Sequence, residues 1–105
     1  MRPAPRDGSR EYVVVIDCQA DGVRVSPSRV NIPLDVLGQS NGSTLLVRTV
    51  QDLVARRRAM QAPEDSEVRV VIRFVLHKEG TRAFHTSYPL LNVIDAEKRT
   101  VMSSQ

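Results

Sequence analysis

The chain is 105 residues long, with a formal net charge of +3 and 41% hydrophobic residues, which bounds it to about one domain with one modest core. Its single cysteine, Cys18, excludes an internal disulfide and a multi-cysteine zinc site, and no run reaches the roughly 18 apolar residues of a membrane span. Tryptophan is absent and Lys78 and Lys98 are the only lysines, so the core must be mostly Val, Leu and Ile, and the positive charge is almost all arginine. The N-terminal residues also lack the apolar stretch of a signal peptide. The chain is therefore expected to be soluble as it stands. A cytoplasmic or periplasmic setting is open if it is part of a longer, membrane-anchored protein.

Residues 1–10 (MRPAPRDGSR) read as a flexible lead-in to a single domain over 11–102, with a tail over 103–105. The first strand, 12–18, alternates between a core face of Tyr12, Val14, Ile16 and Cys18 and an opposite face of Val13, Val15 and Asp17. Ala20-Asp21-Gly22 then predicts a hairpin turn, because Gly tolerates positive φ, and Val23-Arg24-Val25 returns antiparallel. Ser26-Pro27-Ser28 ends that strand, and Val30-Asn31-Ile32-Pro33 suits a short edge segment. Asp35-Val36-Leu37 allows one helical turn before an exposed loop over 38–43.

The spacing of Leu46, Val50, Leu53, Val54 and Arg57 predicts the main helix over 44–60, with Ser43 or Thr44 as N-cap. Arg56, Arg57 and Arg58 sit at its C-terminal end, where the helix dipole favours cations. Ala62-Pro63 stops it, and 64–67 form an acidic loop. The stretch 68–76 is the longest β-rich run. Its even positions, Val68, Val70, Ile72, Phe74 and Leu76, are all apolar, and its odd positions are Arg69, Val71, Arg73 and Val75. It reads as a central strand with one face on a core and one near water. After a turn over 77–80, residues 81–85 suggest a short returning strand. Thr86 or Ser87 as N-cap, with Pro89 in the first turn, predicts a second helix over about 89–98.

Each long strand has one better face and each helix one apolar stripe. The expected fold is therefore α+β, a two-layer sandwich in which a small mixed sheet carries two helices on one face. The opposite face would stay bare, with Val13, Val15, Asp17, Arg69, Val71, Arg73 and Val75 on it. If the helical crossover joins parallel strands, it should be right-handed.

The order of elements resembles the periplasmic domain of biopolymer-transport proteins of the ExbD/TolR type. The residues that carry the likeness are Ile16, Ala20-Asp21-Gly22, the helix from Leu46 to Val54, and Val71-Ile72-Arg73. Asp17-Cys18-Gln19-Ala20-Asp21-Gly22-Val23 is also similar to an uncharacterised bacterial domain, seen mainly in planctomycetes, with a strand ending in Cys-x-Ala-Asp-Gly. The resemblance implies the same fold, and as a function an accessory domain of an envelope transport complex. The transport family's ionisable transmembrane helix has no counterpart in this sequence, so only the fold is carried over.

Few residues suggest chemistry. Cys18 with His77 or His85 would make a thiolate–imidazole pair only if a base lay within hydrogen-bond reach, and the core-facing phase of Cys18 favours a buried structural thiol. Two histidines without carboxylates at ligand spacing do not make a metal site. Asp21-Gly22 is explained by the hairpin. Arg48 with Arg56, Arg57 and Arg58 is the alternative, a nucleic-acid-binding surface, although three consecutive helical positions spread around the helix rather than forming a stripe. The Val/Arg face remains. Asp17 could pair there with Arg69 or Arg73, and arginine beside apolar area is typical of protein interfaces. The expectation is a non-enzymatic interaction or assembly domain that meets a protein partner or its own copy through this face or a sheet edge. No cofactor, metal or small-molecule ligand is predicted.

Overall fold

The computed structural model describes residues 11–60 and 69–103. The lead-in, Ala62-Pro63, the acidic 64–67 loop and Val68 lie outside the described residues. In chain order the elements are β1 (Glu11–Gln19), β2 (Gly22–Ser26), β3 (Val30–Pro33), α1 (Leu34–Leu37), α2 (Ser40–Ala59), β4 (Arg69–Leu76), α3 (Thr81–Leu90), a 3-10 turn (Leu91–Val93) and β5 (Glu97–Met102). The five strands form one mixed sheet in the order β3-β2-β1-β4-β5. β1 is antiparallel to β2 and parallel to β4, and β4 is parallel to β5.

The expected α+β sandwich is what forms. Val14, Ile16 and Cys18 of β1, with Ile72 and Phe74 of β4, meet Leu46, Val50 and Val54 of α2 and Ala83 of α3 in one core. Phe74 sits at its centre, against the rings of Phe84 (5.6 Å, edge-on) and Tyr88 (5.0 Å). The β1–β2 turn needs its glycine: Gly22 has φ of 149°, and a Cβ there would lie 2.2 Å from the Ile32 carbonyl oxygen.

Three expectations are corrected. First, α2 begins at Ser40, inside the predicted 38–43 loop, and neither Ser43 nor Thr44 caps it. Gln39 holds the N-cap position without a side-chain bond, and Ser43 Oγ donates instead to the Ser40 carbonyl (3.1 Å). The extra turn forms because Gly42 lets α2 touch α1: a Cβ at 42 would lie 1.9 Å from the Val36 carbonyl oxygen. The buried stride is Gly42, Leu46, Val50, Val54, and its first member has no side chain to reveal the period.

Second, 81–85 is not a returning strand. It opens α3, whose stride of Ala83 and Ser87 is buried. A serine in an apolar stripe hides the helical period. It is tolerated because its hydroxyl donates to the Phe84 carbonyl at 3.4 Å.

Third, the helix expected over 89–98 is absent. Pro89 lies in the last turn of α3 rather than the first turn of a new helix, and 97–102 is the strand β5. Glu-Lys-Arg-Thr-Val-Met has little β character of its own, but the unpaired edge of β4 supplies it with a ladder, and pairing of that kind overrides weak local preference.

Candidate protein-contact face

α2 and α3 both pack on the even-numbered side of β1 and β4. Among the described residues the odd-numbered side carries no helix, and the ladder registers fix its layout. Glu11 of β1 lies beside Arg69 of β4. Val13 lies beside Val71, which lies beside Glu97 of β5. The next row runs Ser26, Val15, Arg73, Arg99, and the one after it Arg24, Asp17, Val75, Val101. Asn31 of β3 extends that last row to the far edge. All seven residues expected on the bare face are on it.

Their exposures differ. Val13, Val15, Asp17, Arg73 and Val75 are half-buried and Arg69 is exposed, but Val71 retains no accessible surface. Val71 sits between Val13 of β1 and Glu97 of β5. It fills the face without offering contact area. Val101, 42% exposed, adds to the apolar surface from β5.

The expected pairing of Asp17 with Arg69 or Arg73 does not occur. Asp17 Oδ1 meets His77 Nε2 at 2.8 Å. His77 directly follows β4 and keeps its phase, whereas Arg69 and Arg73 lie further back along the strand. Arg69 instead reaches Glu11 at 3.6 Å. Glu11 also accepts from Arg99 Nη2 at 3.1 Å, and Arg99 Nε donates to Glu97 at 2.7 Å. The hydrogen bond from Arg99, the largest cause, pulls the Glu97 carboxyl below its ordinary range, and the same bond, followed by that to Glu11, raises Arg99 further.

Sequence reasoning missed Glu11, His77, Glu97, Arg99, Val101 and Arg24 as members of this face. The phase of 23–25 relative to the hairpin could have placed Arg24, and phase continuation past Leu76 could have placed His77. The three β5 residues needed the strand itself. Beside Arg24, a shallow depression opens over Gly22, lined by Gln19, Asn31 and Pro33. It exists because glycine leaves the row without a side chain.

The other candidates fall elsewhere. Cys18 is on the helix-covered side with no exposed surface, and its Sγ lies 3.9 Å from Ser87 Oγ. Burial, the largest cause, pushes its pKa up to about 11 despite the hydrogen bond with Ser87, so the thiol is neutral at neutral pH. His77 is on the opposite face with Asp17, and His85 is exposed on α3 beside Phe84. Neither histidine joins Cys18. Among the described residues, no three His, Cys, Asp or Glu side chains gather at metal-holding distance. Arg48, Arg56 and Arg58 are exposed on α2 and Arg57 is half-buried. At about 100° per residue they point in several directions, and Asp52 lies one turn from both Arg48 and Arg56. No helix among the described residues is long and apolar enough to cross a membrane.

No family profile, curated protein or solved structure matches the chain.

Proposed function

We propose that the chain is a non-catalytic interaction or assembly domain and that the open face of its sheet is the contact surface. The observation that carries this reading is the run of Val13, Val15, Val75 and Val101, left partly in solvent across three adjacent strands and interleaved with arginine. Contiguous apolar surface of this kind is uncommon on a face that meets only water, and arginine is enriched at interfaces relative to the rest of a protein's surface. The outer edge of β5 adjoins the same face. Among the described residues β5 has one neighbour, β4, and a partner strand could extend the sheet there.

Photo-crosslinking tests the face. A benzophenone side chain at position 75 should give adducts in cells that make the full-length protein, and one at position 56, on α2, should not. The reverse pattern ends the reading. Sedimentation of the wild type beside Val75→Asp then separates the occupants. A dimer dissolved by the substitution assigns the face to a second copy, and monomers in both assign it to a different protein. An ExbD/TolR-type transport complex is one setting for such a contact. It requires a membrane-spanning helix with an ionisable residue upstream of the domain in the full-length gene product.

A further inference from the structure

The charges on the open face are unequally met. Its three carboxylates among the described residues all have partners: Glu11 has Arg69 and Arg99, Glu97 has Arg99, and Asp17 has His77 at hydrogen-bond distance. Two of its four arginines, Arg24 and Arg73, have no carboxylate within ion-pair distance among the described residues. Arg73 is the more confined. It lies half-buried between Val15 of β1 and Arg99 of β5, and Arg99 is already engaged by two glutamates. A guanidinium held among aliphatic side chains, partly out of water, pairs more strongly with an arriving carboxylate than an exposed one does.

We infer that the face takes an acidic polypeptide segment, with one carboxylate on Arg73, a second on Arg24, and an apolar side chain between them over β1, at Val15 and beside Asp17, whose Oδ1 is already held by His77. This rests on the open face being a contact surface. β2 and β4 are separated by β1, and Arg24 lies one row beyond Arg73, so their Cα atoms are on the order of 12 Å apart at ordinary strand spacing. An extended segment sets residues i and i+4 on one face at about 13 Å, with i+2 between them. The matching pattern is acidic-x-apolar-x-acidic. Among the described residues, a second copy packed face to face supplies no such segment, because the carboxylates of this face, Glu11, Asp17 and Glu97, each already have a partner within their own sheet.

The probe is a fluorescein-labelled, end-blocked peptide Glu-Thr-Leu-Thr-Glu, compared with Gln-Thr-Leu-Thr-Gln by anisotropy at low ionic strength. Wild type, Arg73→Gln and Val75→Asp are titrated, each checked for native circular dichroism. The glutamate peptide should bind the wild type at least about tenfold more tightly than its glutamine counterpart, Arg73→Gln should erase that preference, and added salt should weaken it. Equal affinity for the two peptides, or binding of neither, overturns the inference. Equal binding that Val75→Asp abolishes leaves the contact face standing while removing the acidic partner. A glutamate preference that survives both substitutions removes both. A thymidine oligonucleotide that binds more tightly than the glutamate peptide, and depends equally on Arg73, assigns these cations to phosphate and also overturns the inference.

Discussion

On the helix-covered side of the sheet, Val14, Ile16, Cys18, Ile72 and Phe74 have no exposed surface. One residue along the same two strands, Val13, Val15, Arg73 and Val75 remain partly in solvent. The two sides share backbone, register and much of their composition, so what separates them is cover. α2 and α3 both lie on one side, and among the described residues no helix lies on the other. At one position on it, Val71, no accessible surface remains. The next two rows, with Val15 and Arg73 and with Asp17 and Val75, are likewise flanked by strands on both sides and yet stay partly open.

Four substitutions or titrations test how deep that difference runs. Phe74→Ala should be the most damaging, at about 3–5 kcal/mol in urea unfolding, because it empties the middle of the covered side. A loss below about 1 kcal/mol would mean that the helices do not close that side as described.

The alkaline limit should come next. The Cys18 pKa is raised to about 11 in the folded chain from an ordinary 9.0. Its stabilising contribution is therefore complete below pH 9 and is lost as pH rises from 9 towards 11, by about 2–3 kcal/mol in all. Urea midpoints across this range should fall in the wild type and fall less in Cys18→Ala. Parallel curves would place the thiol in water.

Val71→Ala should cost about 2 kcal/mol although it is on the open side, whereas Val75→Ala should cost less than about 1. If the two behave alike, Val71 is no more closed off from water than Val75. Glu11→Gln should have the smallest effect, about 0–1 kcal/mol, and 1 M salt should erase it, since the pairs it breaks are partly exposed.

Strict alternation made β1 and β4 legible, and with them the side on which Val13, Val15, Asp17, Arg69, Val71, Arg73 and Val75 would lie. The Leu46, Val50, Val54 stride did the same for the body of α2. The C-terminal third was not legible. Ser87 interrupts the apolar period of α3, and Pro89 resembles a helix start although it lies near a helix end. β5 is a strand because β4 had an edge to fill, which no local window shows. The pairs of the face suffered accordingly. Glu11 finds Arg99 across 88 positions of sequence, a contact that exists only once β5 is in place. Sequence could assign residues to the bare side, but not which of its charges would be answered from within.

At the middle of the sheet, β1 and β4 pair from Glu11 beside Arg69 to Cys18 beside Leu76, with β2, β3, α1 and α2 between them in the chain. The central seam is thus a long-range closure, the kind of step that slows folding. On the ribosome, the hairpin and α2 can emerge and form early, but β1 waits with one flank unzipped until Leu76 has left the exit tunnel. Until then its unpaired backbone N–H and C=O groups are available to any other nascent strand.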